Sequence, residues 1–592
     1  VEEREEHGLF QSVFDFASRI DARVCNKKTL ESLIQSGAFD TLYDNRAELL
    51  MGMEDILAYA HRKQEEARLS QGNLFGGTGG SSVLQEPKLK SYPKWSQINE
   101  VYHWLVKINI ENKNLDQALK NVSKINELEI KDILYPQIDP FFEEISSSQL
   151  YNYYKTYPKN KSVAKYYGRF LLNEYLDGEV IDEINKILGI VENEDLFVTE
   201  DRKFRIAILL PFMFEGIENN FFIKNNDFVM DLYSGITFGL ENNDSIQNNI
   251  EILSFDTRRD PNVIKKLIDD GSLETIDVII GPLYSKPIEI IKQYCLENKK
   301  IMINPLSSNN KIIDDNNYSF LFKSSLKTIA NRTADYSIEN FSENKNAIIF
   351  YENNYQDSLV ASLYQQKLDS NDFNIIYSQP VSLEDSRLIL DSLASTYEFI
   401  LSDSLFDTLS NVSDIIIKEG RGIDDLDTTY MYTEKFLIED DSIGHVFISS
   451  KNSLFASNAI SALDVRNDTI PLIGYSEWLD YNVISVDQFQ DIDVRMIGTT
   501  FFEKESTSYK YLDDFFVSSY KRKISNNFLL GYDLINMIIN INSDYGKYFQ
   551  FGLRNEEKIN TGLQSNPYYS EFNDNQNVKI YVVDNFKIIP IN

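Results

Sequence analysis

Two serines stand where this chain could bind a ligand. Ser285 ends the run I-D-V-I-I-G-P-L-Y-S, and Ser308 lies in I-M-I-N-P-L-S-S-N-N. Each follows a short apolar run bounded by turn residues, which its length and β-branched content mark as a buried strand. Between them Ile288, Ile290, Ile291, Tyr294 and Cys295 share a helical face, closed by Lys299 and Lys300 at the end that suits the helix dipole. Strand, crossover helix and strand make a parallel βαβ unit, and ligands of open parallel sheets sit beyond the carboxyl ends of strands. Both hydroxyls are expected there, able to donate to a carboxylate beside helix N-terminal amides. The competing role for each is to cap a helix. Asp256 and Thr257, in the turn D-T-R-R-D-P, are candidates for closing such a cleft, with Arg258 and Arg259 forming a solvated face.

Catalysis finds no comparable constellation. Ser285 has no histidine near it in sequence, and the chain contains no G-x-S-x-G. Glu419-Gly420-Arg421-Gly422 lacks the spacing of a phosphate-binding loop and reads as an ordinary loop. Glu439-Asp440-Asp441 lacks the ordered ligands of a calcium loop. The four histidines (His7, His61, His103, His445) lie far apart, and the two cysteines show no redox spacing. No enzyme activity, metal or cofactor is therefore expected. A formal net charge of -33 over 592 residues argues against a chain-wide nucleic-acid or anionic-membrane surface. No run of 18 apolar residues is present, so no transmembrane helix is expected, and V-E-E-R-E-E-H lacks the apolar core of a signal peptide.

The elements that must hold these residues change character along the chain. Residues 1–70 read as helices: Phe10, Val13, Phe14, Ala17 and Ile20 form one stripe, Asn26 an N-cap and Gly37 a C-cap. G-G-T-G-G-S-S at 76–82 is a flexible tether by composition, within a linker expected over 71–99. Residues 100–200 read as helix pairs of tetratricopeptide type, with Trp104, Leu105 and Ile108 facing Leu115, Ala118 and Leu119. Tyr151, Tyr154 and Tyr157 are expected as inter-helix core. From Phe204 strands and helices alternate, and two doubly wound α/β lobes account for the length better than one sheet. The expected lobes are 203–328 with 472–545, and 329–471 with 546–592.

Two resemblances attach to these segments. The stretches V-E-E-R-E-E-H-G-L-F-Q-S-V-F-D-F, V-C-N-K-K-T-L-E-S-L-I-Q-S-G-A-F-D, N-R-A-E-L-L and Q-G-N-L-F-G, with Trp95 beyond them, resemble the bacterial DNA polymerase III alpha subunit over about the first 95 residues. The match is to its late fingers and helix-hairpin-helix region. It implies DNA contact through Lys27, Lys28 and Arg46, but the catalytic palm is not among these segments and no polymerase activity carries over. Residues 200–592 resemble the type I periplasmic-binding-protein fold of leucine-binding-type receptors and penicillin-binding-protein activators. The motifs are I-A-I-L-L-P-F, S-F-D-T-R-R-D-P, V-I-I-G-P-L-Y-S, I-N-P-L-S-S-N, Y-E-N-N-Y-Q-D-S and L-L-G-Y-D-L. In the receptors, hydroxyls at the positions of Ser285 and Ser308 hold a ligand's α-carboxylate, Leu306 offers its backbone, and Tyr355 matches a ligand-contacting tyrosine. Gln356, in place of the family's glycine, and the bulk of Tyr284 and Leu306 depart from amino-acid receptors.

The expected function is that of a non-catalytic cell-envelope protein, binding a small anionic or zwitterionic ligand or activating a cell-wall synthase. The alternative is a replication protein acting through the first 95 residues. The resemblances imply cytoplasm for the front and periplasm for residues 100–592, and a join between two unrelated coding segments is the simplest account of both.

Overall fold

The structure, a computed structural model, describes all residues except 1, 22, 73–84, 93–96, 175, 193–195, 198–202, 215–219, 244–248, 315, 401–415, 422–426, 467, 482, 499–501, 503, 505, 556–557, 564–565 and 592. It divides into two compact units, Val1–Leu171 with Glu183–Leu196, and Leu172–Asp182 with Phe197–Asn592.

The first unit is helical. Val13, Phe14 and Ala17 of the helix Val13–Arg19 pack with Leu30, Ile34, Leu49, Ile56 and Tyr59 in one core. Asn26 caps the helix Lys27–Gln35 by accepting from the Thr29 amide at 3.0 Å, and Gly37 follows it at φ +78. Part of the expected linker is anchored to this core. Ser12 donates to Glu86 at 2.6 Å, Asn45 donates to the Tyr92 carbonyl at 2.6 Å, and Leu89 packs against the cluster. Residues 76–82 and Trp95 lie outside the described residues. The helix Gln97–Glu111 buries a different face from the one expected. Asn99, His103 and Val106 are inside, whereas Leu105 and Ile108 are exposed. Asn99 can go inward because its side chain is bonded: it donates to Glu127 at 2.8 Å and accepts from the Asn126 amide at 3.2 Å. Of the tyrosine stripe, Tyr154 is core, stacked 4.4 Å from Tyr167, while Tyr151 is exposed.

The second unit carries the α/β architecture. Its first sheet holds β1 (Phe204–Leu210), β2 (Ile250–Asp256), β3 (Val278–Ile280), β4 (Ile301–Asn304) and β5 (Ser319–Leu321), all parallel, in the order β2-β1-β3-β4-β5. Ile206 to Leu210, Val278 to Ile280 and Ile301 to Ile303 are buried without alternation, as strands covered on both faces must be. The second sheet is built from β6 (Asn346–Glu352), β7 (Asn374–Val381), and, after a small antiparallel sheet, later strands. That small sheet comprises β8 (Thr396–Ile400), β9 (Ile416–Arg421) and β10 (Asp427–Phe436). Glu419, Gly420 and Arg421, expected in a loop, therefore belong to a strand, and Gly422 lies outside the described residues. The later strands are β11 (His445–Ser449), β12 (Leu472–Tyr475), β13 (Val494–Gly498), β14 (Lys579–Asp584) and β15 (Lys587–Pro590), giving the order β15-β14-β13-β12-β11-β6-β7.

The lobe boundaries shift accordingly. β12 and β13, expected in the first lobe, pair in the second sheet, with Leu472 and Ile473 opposite Val446 and Phe447. The chain returns to the first lobe with the helix Thr507–Tyr520, whose Phe515 ring lies 4.3 Å from that of Phe238, and then with Asn526–Tyr545, which crosses Asn220–Glu241 so closely that backbone meets backbone. A Cβ on Gly235 would lie 2.0 Å from the Phe528 carbonyl oxygen, and one on Gly531 would lie 2.1 Å from that of Leu232. Among the described residues no helix is long and apolar enough to cross a membrane.

Candidate functional site

The turns after β3 and β4 are joined by one side chain that the sequence reading passed over. Asn304, the last residue of β4, is fully buried and donates to the Pro282 carbonyl at 2.7 Å. Its carbonyl oxygen accepts from the Leu306 and Ser307 amides at 3.2 and 2.8 Å. A buried amide satisfied on both sides fixes the two turns relative to each other. The helix Ser285–Asn298 then starts with Tyr284 as its N-cap residue, without a side-chain cap. Ser285 is exposed, Ser308 and Leu306 are half-buried, and neither serine hydroxyl makes a hydrogen bond among the described residues. The helix-capping role set against them does not apply. The structure thus places both hydroxyls at adjacent strand ends, beside a helix start where the Ser285 and Lys286 amides have no intrahelical acceptor.

Asp256, expected to help close a cleft, is engaged within its own lobe. Its carboxylate accepts from the Met213, Phe214 and Arg258 amides at 3.1, 3.1 and 3.0 Å, tying the loop after β1 to the end of β2. Tyr284 is half-buried under the Arg259 guanidinium, 4.7 Å from its ring, so Arg259 is more than a solvated face. Tyr355 opens the helix Tyr355–Asp369 and is 66% exposed.

The second sheet brings charged residues to its own strand ends. Lys451, just past β11, pairs with Glu477, just past β12, and its ammonium lies 5.4 Å from the Tyr475 ring. Trp478 locks this corner: its ring fills the space where Gly474 lacks a side chain, and its indole N–H donates to the Ser450 carbonyl at 2.9 Å. Glu352, ending β6, accepts from the Ser450 hydroxyl at 2.7 Å. Burial pushes the Asp357 carboxyl up to about 6; Glu352 adds to the shift, while Asn354 and Lys451 oppose it. Lys323, two residues past β5 of the first sheet, is an electrostatic neighbour of this group. Burial lowers its ammonium to about 8, Lys451 helps, and Glu477 opposes. No local pattern links these residues in the sequence, although L-F-K-S-S, F-I-S-S-K and Y-S-E-W each span the end of a strand.

In the first unit the basic residues proposed for DNA are engaged with carboxylates. Lys27 pairs with Glu54 at 2.8 Å, and Arg46 pairs with Asp40 and, at 2.6 Å, with Glu100. Lys28 is exposed and lines, with Lys27, Trp104 and Lys107, a cavity of about 510 Å³.

Comparison with known proteins follows the same division. Residues 239–420 match the receptor family ligand binding region. Residues 1–49 match the helix-hairpin-helix motif. The DNA polymerase III alpha subunit of Caulobacter vibrioides is 36% identical over 96 residues, 16% of this chain and 8% of that protein. That of Pasteurella multocida is 31% identical over 136 residues, 23% of this chain and 12% of that protein. The chain thus spans about a tenth of the length of these relatives. Among solved structures, an ABC transporter substrate-binding protein from Desulfitobacterium hafniense is 13% identical, covering 66% of this chain and all of its own, at a TM-score of 0.40. Full-length LpoA from Haemophilus influenzae is 13% identical, covering 100% of this chain and 97% of its own, at a TM-score of 0.44.

Proposed function

We propose that the α/β unit is a non-catalytic ligand-binding protein of the cell envelope, which takes a small anionic or zwitterionic, amino-acid-like molecule between its two larger sheets. The observation that carries this reading is the Asn304 clamp. It holds two turns with unengaged hydroxyls, Ser285 and Ser308, at the carboxyl ends of neighbouring strands. The family match over residues 239–420 supports the same reading. Calorimetry against amino acids and peptidoglycan fragments tests it. Each of Ser285→Ala and Ser308→Ala should weaken binding by about 1.5–3 kcal/mol, the range for hydrogen bonds to charged groups. Binding that survives both substitutions together would sink the site.

A second reading is favoured by the Tyr284 ring under Arg259 at 4.7 Å, bulk that narrows the turn after β3. On that reading the cleft is filled by the protein itself, and the surface engages a partner such as a cell-wall synthase. No binding across the whole panel would select it. Replication through the helical head is the weaker alternative, because Lys27 and Arg46 are already neutralised by carboxylates. Fluorescence anisotropy with labelled DNA should show no saturable binding at physiological salt.

A further inference from the structure

Lys323 stands beside the turn that carries Ser308. The Phe322 amide, immediately before it, donates to the Asn304 carbonyl at 3.0 Å, and the Leu326 amide, three residues on, donates to the Ser308 carbonyl at 2.9 Å. Its backbone is thus bonded on both sides to the turn that carries Ser308. Its half-buried side chain has Lys451 and Glu477 of the second sheet as electrostatic neighbours. Glu477 is already paired with Lys451, and Glu352 is hydrogen-bonded by the Ser450 hydroxyl at 2.7 Å. Asp357, the remaining carboxyl of the group, bonds the Asn354 side-chain amide at 2.7 Å. Among the described residues the Lys323 ammonium has no hydrogen bond or ion pair of its own. A partly desolvated cation without a counter-ion is costly, and an anion brought against it restores the lost solvation.

We infer that Lys323 receives a second acidic group of the cleft ligand, so that the ligand carries two: one at the Ser285 and Ser308 turns and one, a carboxylate or a phosphate, at Lys323. The inference rests on the ligand-binding reading above and narrows it to diacidic molecules. A neutral side chain of the same shape leaves the ammonium uncompensated and binds less well.

Calorimetry on the full chain tests this with alanine, glutamine, glutamate (both enantiomers of each), serine and O-phosphoserine. Glutamate should bind at least tenfold more tightly than glutamine of the same hand, or phosphoserine at least tenfold more tightly than serine. The first result identifies a carboxylate and the second a phosphate. Lys323→Met should erase the preference, and Lys323→Arg should keep most of it. Thermal melts check that both variants fold, and Lys451→Gln, which frees Glu477 to pair with Lys323, should reduce the preference if Lys323→Met does not fold. Equal binding of acid and amide overturns the inference and leaves the ligand-binding reading standing. The same holds for binding of alanine alone, or for a preference that survives Lys323→Met or, where that variant does not fold, Lys451→Gln. Binding of none of the probes overturns both.

Discussion

Asn304 makes three hydrogen bonds from a position with no solvent exposure, and that makes it the residue most exposed to test. Asn304→Ala leaves the Pro282 carbonyl and two amides without their partner. The expected loss is about 1–3 kcal/mol of stability, read as a lower urea midpoint. Ligand affinity should fall with it, since the Ser285 and Ser308 turns lose their tie; an unchanged midpoint would contradict the clamp. His445 offers a test by pH. It is enclosed by Phe341, Phe373 and Tyr364, whose hydroxyl lies 2.7 Å from Nε2, and burial holds its imidazole at about 3, below the ordinary 6.5. The unfolded chain therefore binds the proton first, and stability should fall as pH drops from about 6.5 towards 3, by up to ~1.4 kcal/mol per pH unit. Asp357, raised from 3.8 to about 6, acts in the opposite sense, favouring the folded state on acidification through that window. The variant His445→Gln isolates the histidine. Its stability at pH 7 should be lower, but its loss between pH 6.5 and 4.5 should be smaller than that of the wild type.

At the scale of elements, the crossing of Asn220–Glu241 with Asn526–Tyr545 depends on Gly235 and Gly531. A methyl group at either would press on a carbonyl oxygen of the other helix, which cannot move without shifting the whole element. Gly235→Ala and Gly531→Ala should each cost about 1–3 kcal/mol by urea unfolding, the range for overpacking. Gly178→Ala, where a Cβ meets nothing within 4 Å, is the control and should change stability by less than about 0.5 kcal/mol. Gly235 lies in a helix interior, but its reason is the second helix, nearly three hundred residues away. Helix starts were legible because capping is local: Asn26 bonds the amide of its own first turn. The buried face of Gln97–Glu111 was not, because Asn99 reads as an outward polar residue until Glu127 and Asn126 are in place.

For the whole molecule, the helix Gly178–Leu188 straddles the division between the two units. Ile184 and Ile187, both fully buried, belong to the helical unit with Leu196, against which Gly168 packs. A fragment ending at Leu171 should therefore unfold at lower urea than one ending at Leu196; burial of two isoleucines alone is worth about 3–6 kcal/mol. A fragment beginning at Leu172 retains the α/β unit and should unfold in a single transition by circular dichroism. Coincident midpoints for the two helical fragments would refute this division.

The sequence by itself determined that strands and helices alternate after Phe204, that they form two α/β lobes, and where the turns that hold Ser285 and Ser308 lie; it did not show the strand Ile416–Arg421. What it determined rests on local signals: short β-branched runs, turn residues and helical periodicity within a few positions. Only the tertiary structure decided that β12 and β13 join the second sheet, because an apolar run states that a strand is buried, not which neighbour it pairs with. Tertiary structure likewise decided that Asn304 clamps two turns, and that Lys323, Lys451 and Glu477 meet from three distant stretches. Charges far apart in sequence have no signature of proximity until the backbone has brought their strand ends together.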